Sequence, residues 1–377
     1  MKFIIATQEL SYLLSKILNV VSPKATIPIL ANILIEAQGN EICLSATDLT
    51  VGVRCKTEAK VLKEGATTLP AKRFSQLIKE LKSVNVEIST NENDVTEILS
   101  DSSRFKLFGM NKSEFPQLPD LGNAKKISIQ EKDLKEMLYR TSFAVSREDN
   151  RYVLTGVCLN VENGRATFVG TDGKRLSRTF LSLPADLSFK GSYIIPLKAV
   201  EEIQKCLKDE GEASLYLMED KIAVHSEDTM IVSKLLSGEY PDVDRVIPEN
   251  PETVVTLDRE ELMTLLRQVS LFTADTSHSV RFSFTKGELK LTANTMDIGE
   301  GLVKMPVNYH GAKLEIAFNP NYFMDILRHN KSHLVTMGIT DSFNPGVIKE
   351  LMEAQEKPEK KEESAVFVLM PMRLGEE

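Results

Sequence analysis

Thr67-Thr68-Leu69-Pro70-Ala71-Lys72-Arg73-Phe74 joins a β-rich run to a helical one through a proline, and the joint recurs. It returns as Tyr193-Ile194-Ile195-Pro196-Leu197-Lys198-Ala199-Val200 and as Ile316-Ala317-Phe318-Asn319-Pro320-Asn321-Tyr322-Phe323. Pro70 and Pro196 are 126 positions apart (196 − 70), and Pro320 follows 124 beyond Pro196, one place later in its local pattern. Proline suits the first turn of a helix, where its missing N–H has no partner to lose. Working outward, Thr47-Asp48 matches Thr171-Asp172, with Asn294-Thr295 a blurred third copy. Helix starts recur in the same order at Gln8-Glu9-Leu10, Lys132-Asp133-Leu134 and Glu260-Glu261-Leu262. The period exceeds the ~20–50 residues of solenoid repeats and matches a whole domain of roughly 100–150 residues. Three tandem similar domains are therefore expected, over 1–122, 127–249 and 252–377, the last carrying a charged insert at 349–364.

Periodicity fills in each domain. Met1–Ala6 reads as a strand, and Thr7 is placed to cap a helix to about Val21, with Leu10, Leu13, Leu14, Ile17 and Leu18 on one stripe. Short strands follow at 33–37, 41–47 and 51–60, the first two joined by a Gly39-Asn40 turn, before Pro70 opens a second helix with Phe74, Leu77, Ile78 and Leu81 as its apolar face. The middle domain repeats this with helices at 131–146 and from Pro196 to about Leu207, and the third with helices at 258–273 and from Pro320 to about His329. Phe115-Pro116 and Tyr240-Pro241-Asp242 break regular structure at the domain ends. The fold class is α+β, each domain a doubled β-α-β-β-β unit with antiparallel sheets.

Composition narrows the function. Apolar residues make up 42% of the 377-residue chain, ample for folded cores, while a net charge of −8 argues against a plain nucleic-acid binder. No two of Cys43, Cys55, Cys158 and Cys206 have C-x-x-C spacing, so free thiols in a reducing cytoplasm are expected; Cys43 and Cys55 could meet across a hairpin. The N-terminus reaches Glu9 too soon for a signal-peptide core, and no apolar run approaches the ~20 residues that span a membrane. No phosphate loop or H-E-x-x-H motif is present, and His329 and His333, four apart, lack a third ligand; no metal or cofactor is expected. Thr171-Asp172-Gly173-Lys174-Arg175 reads either as a polar active-site loop or as a turn, Asp-Gly being a favoured turn pair.

Five motifs carry a resemblance. Pro28-Ile29-Leu30 after a basic loop, Pro70-Ala71-Lys72-Arg73-Phe74, Arg151-Tyr152-x-Leu154-x-Gly156, Thr171-Asp172-Gly173-x-Arg175-Leu176 and Met370-Pro371-Met372-Arg373-Leu374 together resemble the bacterial DNA polymerase III beta subunit family, the sliding clamps, in order along essentially the whole chain. The resemblance implies a non-catalytic protein without cofactors. Its fold would be the DNA clamp fold, a head-to-tail homodimeric ring with helices inside and sheets outside. The ring would encircle double-stranded DNA and tether the replicative polymerase, conferring processivity. Over the six candidate inner helices (6–24, 71–82, 130–147, 196–208, 258–268 and 319–331) the net charge is +6, leaving −14 elsewhere, so an acidic chain can still present a mildly basic wall.

Site residues follow from the same resemblance. It implies DNA contacts at Lys24, Arg73, Arg147, Tyr152 and Lys198, with Val153 departing from relatives that carry a second tyrosine there. It implies a partner cleft walled on one side by Val368, Met370, Pro371, Met372, Arg373 and Leu374 and on the other by Leu154, Thr171, Gly173, Arg175, Leu176, Pro241 and Val246. Short Leu/Phe-containing peptides of the polymerase III alpha subunit, the clamp loader delta subunit, other polymerases and repair proteins would dock there, and methionines suit so varied a clientele. The dimer contact would join Arg104, Phe105 and Leu107 to Leu271, Phe272 and Asp297–Glu300. The 349–364 insert and the extension Gly375-Glu376-Glu377 both fall near the cleft. Two other readings stay open: an α+β enzyme using the Asp172 loop, and a repeat-built protein scaffold that never meets DNA.

Overall fold

The computed structural model describes residues 1–22, 26–119, 121–122, 124–148, 150–184, 189–274, 278–351 and 365–373. The first domain runs β1 (Lys2–Ala6), α1 (Thr7–Ile17), β2 (Asn32–Gln38), β3 (Glu41–Thr47), β4 (Val51–Glu58), β5 (Lys60–Lys63), β6 (Gly65–Pro70), α2 (Ala71–Glu80), β7 (Asn85–Thr90), β8 (Val95–Ser100) and β9 (Ser103–Phe108). The second runs β10 (Lys125–Gln130), α3 (Glu131–Ser142), β11 (Gly156–Glu162), β12 (Arg165–Thr171), β13 (Arg175–Ser182), β14 (Gly191–Pro196), α4 (Leu197–Cys206), β15 (Glu212–Leu217), β16 (Lys221–Ser226) and β17 (Thr229–Lys234). The third runs β18 (Thr253–Asp258), α5 (Arg259–Ser270), β19 (Val280–Thr285), β20 (Glu288–Thr295), β21 (Gly299–Pro306), β22 (Leu314–Phe318), α6 (Pro320–Arg328), β23 (Leu334–Ile339), β24 (Gly346–Glu350) and β25 (Val366–Leu369). A β-α-β-β-β unit thus occurs twice in each domain, with β5 as an extra strand in the first.

The sheets do not respect the domains. One eight-stranded sheet has the order β10-β15-β16-β17-β4-β3-β2-β6, so β17 of the second domain pairs antiparallel with β4 of the first, Ile231 opposite Val53. A second has the order β14-β11-β12-β13-β25-β24-β23-β18, with β25 of the third domain on β13 of the second, Phe367 opposite Ser177. Two smaller sheets are left, β5-β1-β7-β8-β9 and β21-β20-β19-β22. Accordingly the chain packs as two compact units, Met1–Lys135 with Ile195–Leu236, and Glu136–Ile194 with Ser237–Glu377. Each holds one of the eight-stranded sheets.

Local chemistry explains the helix ends. Pro70 and Pro196 are the last residues of β6 and β14 and hold the N-cap position, which corrects the expectation that they open the helices. Only Pro320 sits inside its helix, behind Asn319, whose Oδ1 accepts from the amide of Asn321 at 2.9 Å. That accounts for its offset by one position. Thr7 does not cap α1 either: Ala6 holds the cap position, and the buried Thr7 hydroxyl has no partner among the described residues. Three helices end earlier than their apolar stripes. After α1, α3 and α5 the next turn tightens to i→i+3 bonds, as in Val20 N–H to Ile17 O, Ala144 N–H to Thr141 O and Thr273 N–H to Ser270 O. Cys43 and Cys55 are free thiols on paired strands, one register step apart, and the Cys43 sulfur faces Arg54 Nε at 2.9 Å. Burial pushes the Cys55 thiol up to about 12.

Candidate functional site

The Thr-Asp landmarks are one turn built twice. In the second domain Thr171 Oγ1 donates to Arg175 O at 2.6 Å and accepts from Gly173 N–H at 3.0 Å, while Asp172 Oδ1 accepts from the amides of Lys174 and Arg175, both at 2.9 Å. In the first, Thr47 Oγ1 donates to Val51 O and accepts from Leu49 N–H, both at 3.0 Å, and Asp48 Oδ1 accepts from Thr50 and Val51 at 2.9 and 2.7 Å. Gly173 takes φ +82° and Leu49 takes φ +74°, so the backbone is left-handed at both. The third copy is lost: Thr295 Oγ1 donates to Phe272 O instead. Asp172 uses its remaining oxygen on Arg175 Nε at 3.1 Å, so its carboxylate is committed to the turn and this ion pair.

Arg175 ties this turn to α6. Its Nη1 meets Asp325 Oδ2 at 2.7 Å, and its guanidinium lies over the Tyr322 ring at 4.5 Å and the Phe143 ring at 5.4 Å. Beyond β25 the chain is held by Met370 N–H on Lys174 O at 2.9 Å and Met372 N–H on Ala317 O at 2.7 Å. Met370 remains 40% exposed. A cavity of about 550 Å³ brings Pro371, Met372 and Arg373 together with Ser342 and Phe343. Phe343, 84% exposed, was not singled out from sequence; a phenylalanine in a polar Asp-Ser-Phe-Asn loop was the available signal. Thr171 is buried, and Leu154, Leu176 and Val368 lie beneath the surface, Leu176 opposite Val368 across β13 and β25. Pro241 is exposed, Val246 is 44% exposed in a 3-10 turn, and Leu374 falls outside the described residues.

The cations distribute unevenly. Bounded by the observed helices, the net charge is +2 on α2 and zero on each of the other five, so the expected basic wall is concentrated on one helix and on residues flanking the rest. Lys72, Arg73 and Lys79 on α2, with Lys82 just beyond it, are exposed and in no ion pair among the described residues. Elsewhere local acids neutralise the helix cations: Lys16 with Asp228, Arg140 with Glu350, Lys205 with Glu202 and Arg328 with Asp325. Lys198 is likewise paired with Asp48 at 2.5 Å, which holds that carboxyl below its usual range: the Lys198 and backbone hydrogen bonds outweigh the opposing effect of burial. Arg147 is exposed, and Tyr152, 61% exposed, is the first residue of a 3-10 turn over Tyr152–Thr155. Lys24 lies outside the described residues.

Each of the two smaller sheets has a four-strand run that stops where the larger sheets continue, at the edge strands β9 and β21. On β9 Arg104 pairs with Glu97, Phe105 and Leu107 are half-buried, and Phe108 is 75% exposed. Beside β21, Leu271 is 73% exposed and Phe272 packs over Gly301, while Asp297 and Glu300 are exposed. Exposed Phe108, Met296, Ile298 and Leu302 extend these edges and were missed from sequence, because each alone reads as ordinary strand alternation. No cluster of three metal-binding side chains occurs among the described residues; His329 Nδ1 is instead 2.7 Å from Asp325 O. No helix among them is long and apolar enough to cross a membrane.

Comparison with known proteins matches the chain to family models described as the N-terminal, central and C-terminal domains of the DNA polymerase III beta subunit, over residues 1–119, 128–242 and 244–373. It is 52% identical to the beta sliding clamp of Chlamydia pneumoniae over 377 residues, covering 100% of both chains. It is 31% identical to that of Haemophilus influenzae, covering 99% of this chain and 100% of the other. The crystal structure of the DNA polymerase III subunit beta from Pseudomonas aeruginosa superposes with a TM-score of 0.93 at 28% identity, covering 99% of this chain and 100% of that one.

Proposed function

Because this chain belongs to the bacterial DNA polymerase III beta subunit family, the beta sliding clamps, and is a non-catalytic processivity subunit, we propose that two copies close head to tail around duplex DNA and hold the polymerase on it. One observation carries the reading. Both eight-stranded sheets join a half-sheet ending in β17 or β25 to one ending in β4 or β13, and the half-sheets left over end in β9 and β21. β9 holds the place of β17 and β25, and β21 the place of β4 and β13. Joining β9 of one copy to β21 of another rebuilds the same order of strands. Carrying over the register of β17 on β4 sets Arg104 opposite Leu302, Phe105 opposite Gly301 and Lys106 opposite Glu300. The last is a complementary charge pair.

The DNA contact falls to α2, whose cations are in no ion pair among the described residues, joined by Arg147 and Tyr152; Lys198 contributes less because Asp48 already neutralises it. Weak, salt-dependent phosphate contact fits a protein that slides, with retention supplied by encirclement. Met370, Pro371, Met372, Arg373 and Phe343 form an apolar, adaptable surface for Leu/Phe peptides of the polymerase alpha subunit, the clamp loader delta subunit and repair proteins, acting in the cytoplasm. The test loads the protein onto nicked circular DNA with a clamp loader, washes in high salt and then linearises. The protein stays on the circle and runs off the linear form; loss from both forms defeats encirclement. Deleting Met370–Leu374 leaves the dimer intact and abolishes polymerase stimulation, and surviving stimulation would refute the cleft assignment.

A further inference from the structure

The two junction sheets are each pinned by a charge pair from the same helix position. The tenth residue of α1 is Lys16, which meets Asp228 at 2.9 Å in the β16–β17 turn. The tenth residue of α3 is Arg140, which grips Glu350, the last residue of β24, through both guanidinium nitrogens at 2.6 and 3.1 Å. In both cases a helix of one domain reaches an acid on the outer strands of the next, the turn residue Asp228 in one and the strand-end residue Glu350 in the other. The tenth residue of α5 is Gln268, exposed and uncharged.

The acidic side of the pattern changes as well. The β8–β9 turn is the counterpart of the β16–β17 turn, Asp101 at φ +49° standing where Glu227 stands at φ +47°. Glu227 faces Lys208 after α4, and the matching residue of the first domain is Lys82 after α2. Asp101 therefore occupies the column of Glu227, and the column of Asp228 is filled by Ser102, also exposed and uncharged.

We infer that Gln268 of one copy and Ser102 of the next meet at the seam between copies, and that this pair leaves the seam without the ion pin present at both junctions inside the chain. The inference rests on the head-to-tail reading above. It makes positions 268 and 102 determinants of how tightly the ring shuts, separate from the apolar strand edges. Both side chains are solvent-exposed in the single chain, so changing them leaves its folding intact.

Sedimentation equilibrium of the full chain tests it with Gln268→Lys, Ser102→Asp and the two combined. Each single charge leaves the dimer dissociation constant unchanged or weakens it, and the combination tightens it by roughly tenfold or more, since close charge pairs at interfaces couple strongly. Gln268→Glu combined with Ser102→Asp weakens the dimer. A wild-type dimer in which the charged pair shows no coupling beyond its singles overturns the inference alone. A wild-type chain that sediments as one polypeptide at every concentration overturns the head-to-tail reading, and this inference with it.

Discussion

The two junctions inside the chain share a backbone plan and are packed in opposite ways. Between α1 and α4 the small side chains Ser15, Asn19 and Cys206, with Tyr12, Lys16, Glu202 and Lys205 around them, leave a cavity of about 290 Å³. The counterpart positions between α3 and α6 are Tyr139, Phe143 and His329, whose rings fill the space: His329 stacks on Phe143 at 4.0 Å and leans on Tyr139 at 4.4 Å. The pins differ in the same sense. Arg140 and Glu350 are 7% and 9% exposed, against 19% and 32% for Lys16 and Asp228. Strand pairing holds both junctions; the first adds a wet ion pair, the second rings and a dry one. Repetition of a fold thus fixes where elements meet and leaves open what holds them.

The largest expected effect comes from removing one partner of the dry pin. Arg140→Ala strands the Glu350 carboxylate in a buried site and costs about 3–5 kcal/mol. The Glu136 carboxylate, 3.1 Å from Arg140 Nε but outside hydrogen-bond geometry, adds little to that cost, because it keeps its pairing with Lys331. Lys16→Ala, at the wetter pin, costs about 1 kcal/mol or less because water screens Asp228. Chemical denaturation, with hydrogen exchange of the β13 and β17 amides to localise the loss, reads both. Equal effects would break the distinction. Next, Phe143→Asn gives the second junction the residue of the first and costs about 2–3 kcal/mol through the lost stack and the cavity opened.

Protonation separates the junctions further. Burial holds His329 below its ordinary value of 6.5, outweighing the opposing pull of Asp325, with Arg175 and Arg328 adding to the depression. A lowered folded value means the unfolded chain binds the proton more readily, so stability is complete above pH 6.5 and falls as pH drops below it. The Lys16–Asp228 pin has no such window: burial opposes both charges, but their mutual bond prevails, raising Lys16 and lowering Asp228. Its contribution is lost only in strong acid, as pH falls through the depressed Asp228 value, or in strong alkali, as pH rises through the raised Lys16 value. Hydrogen exchange across pH 5–8 should therefore loosen β25 while leaving β17 unchanged, and His329→Phe should flatten the β25 response.

The same contrast shows what sequence could reveal. The proline joints and the Thr-Asp turns were legible because each is short, local and repeated, and Thr47-Asp48 and Thr171-Asp172 proved to be one hydrogen-bonded turn. Helix existence was legible from the apolar stripes; helix ends were not, because the stripe continues through the i→i+3 turn. The sheets that cross domains were not readable: β4 and β17 pair across some 175 positions, and no local pattern encodes a partner so distant. The pins failed for the same reason, since Lys16 is one lysine among many until Asp228 is beside it. Among the site residues, Arg73 stood in a legible basic run, whereas the neutralisation of Lys198 by Asp48 joins residues 150 positions apart that only the fold brings together.

The smallest effect concerns the two turns. Leu49 holds φ +74° with a Cβ, and Gly173 holds φ +82° without one. Left-handed backbone costs an ordinary L-residue about 1–2 kcal/mol, while replacing it by glycine frees the unfolded chain by about 0.4–1 kcal/mol. Leu49→Gly should therefore be neutral or stabilising by up to about 1 kcal/mol, its 42%-exposed side chain having little packing to lose. Gly173→Ala reverses both signs and adds a clash, because a Cβ there would stand 2.8 Å from Arg151 Nη2. That variant should lose about 1–2 kcal/mol and push Arg151 away from the Asp172 carbonyl, which its Nη2 approaches at 3.4 Å. Thermal denaturation of the pair decides the matter: if both substitutions shift the midpoint in the same direction, the two turns are not the same device.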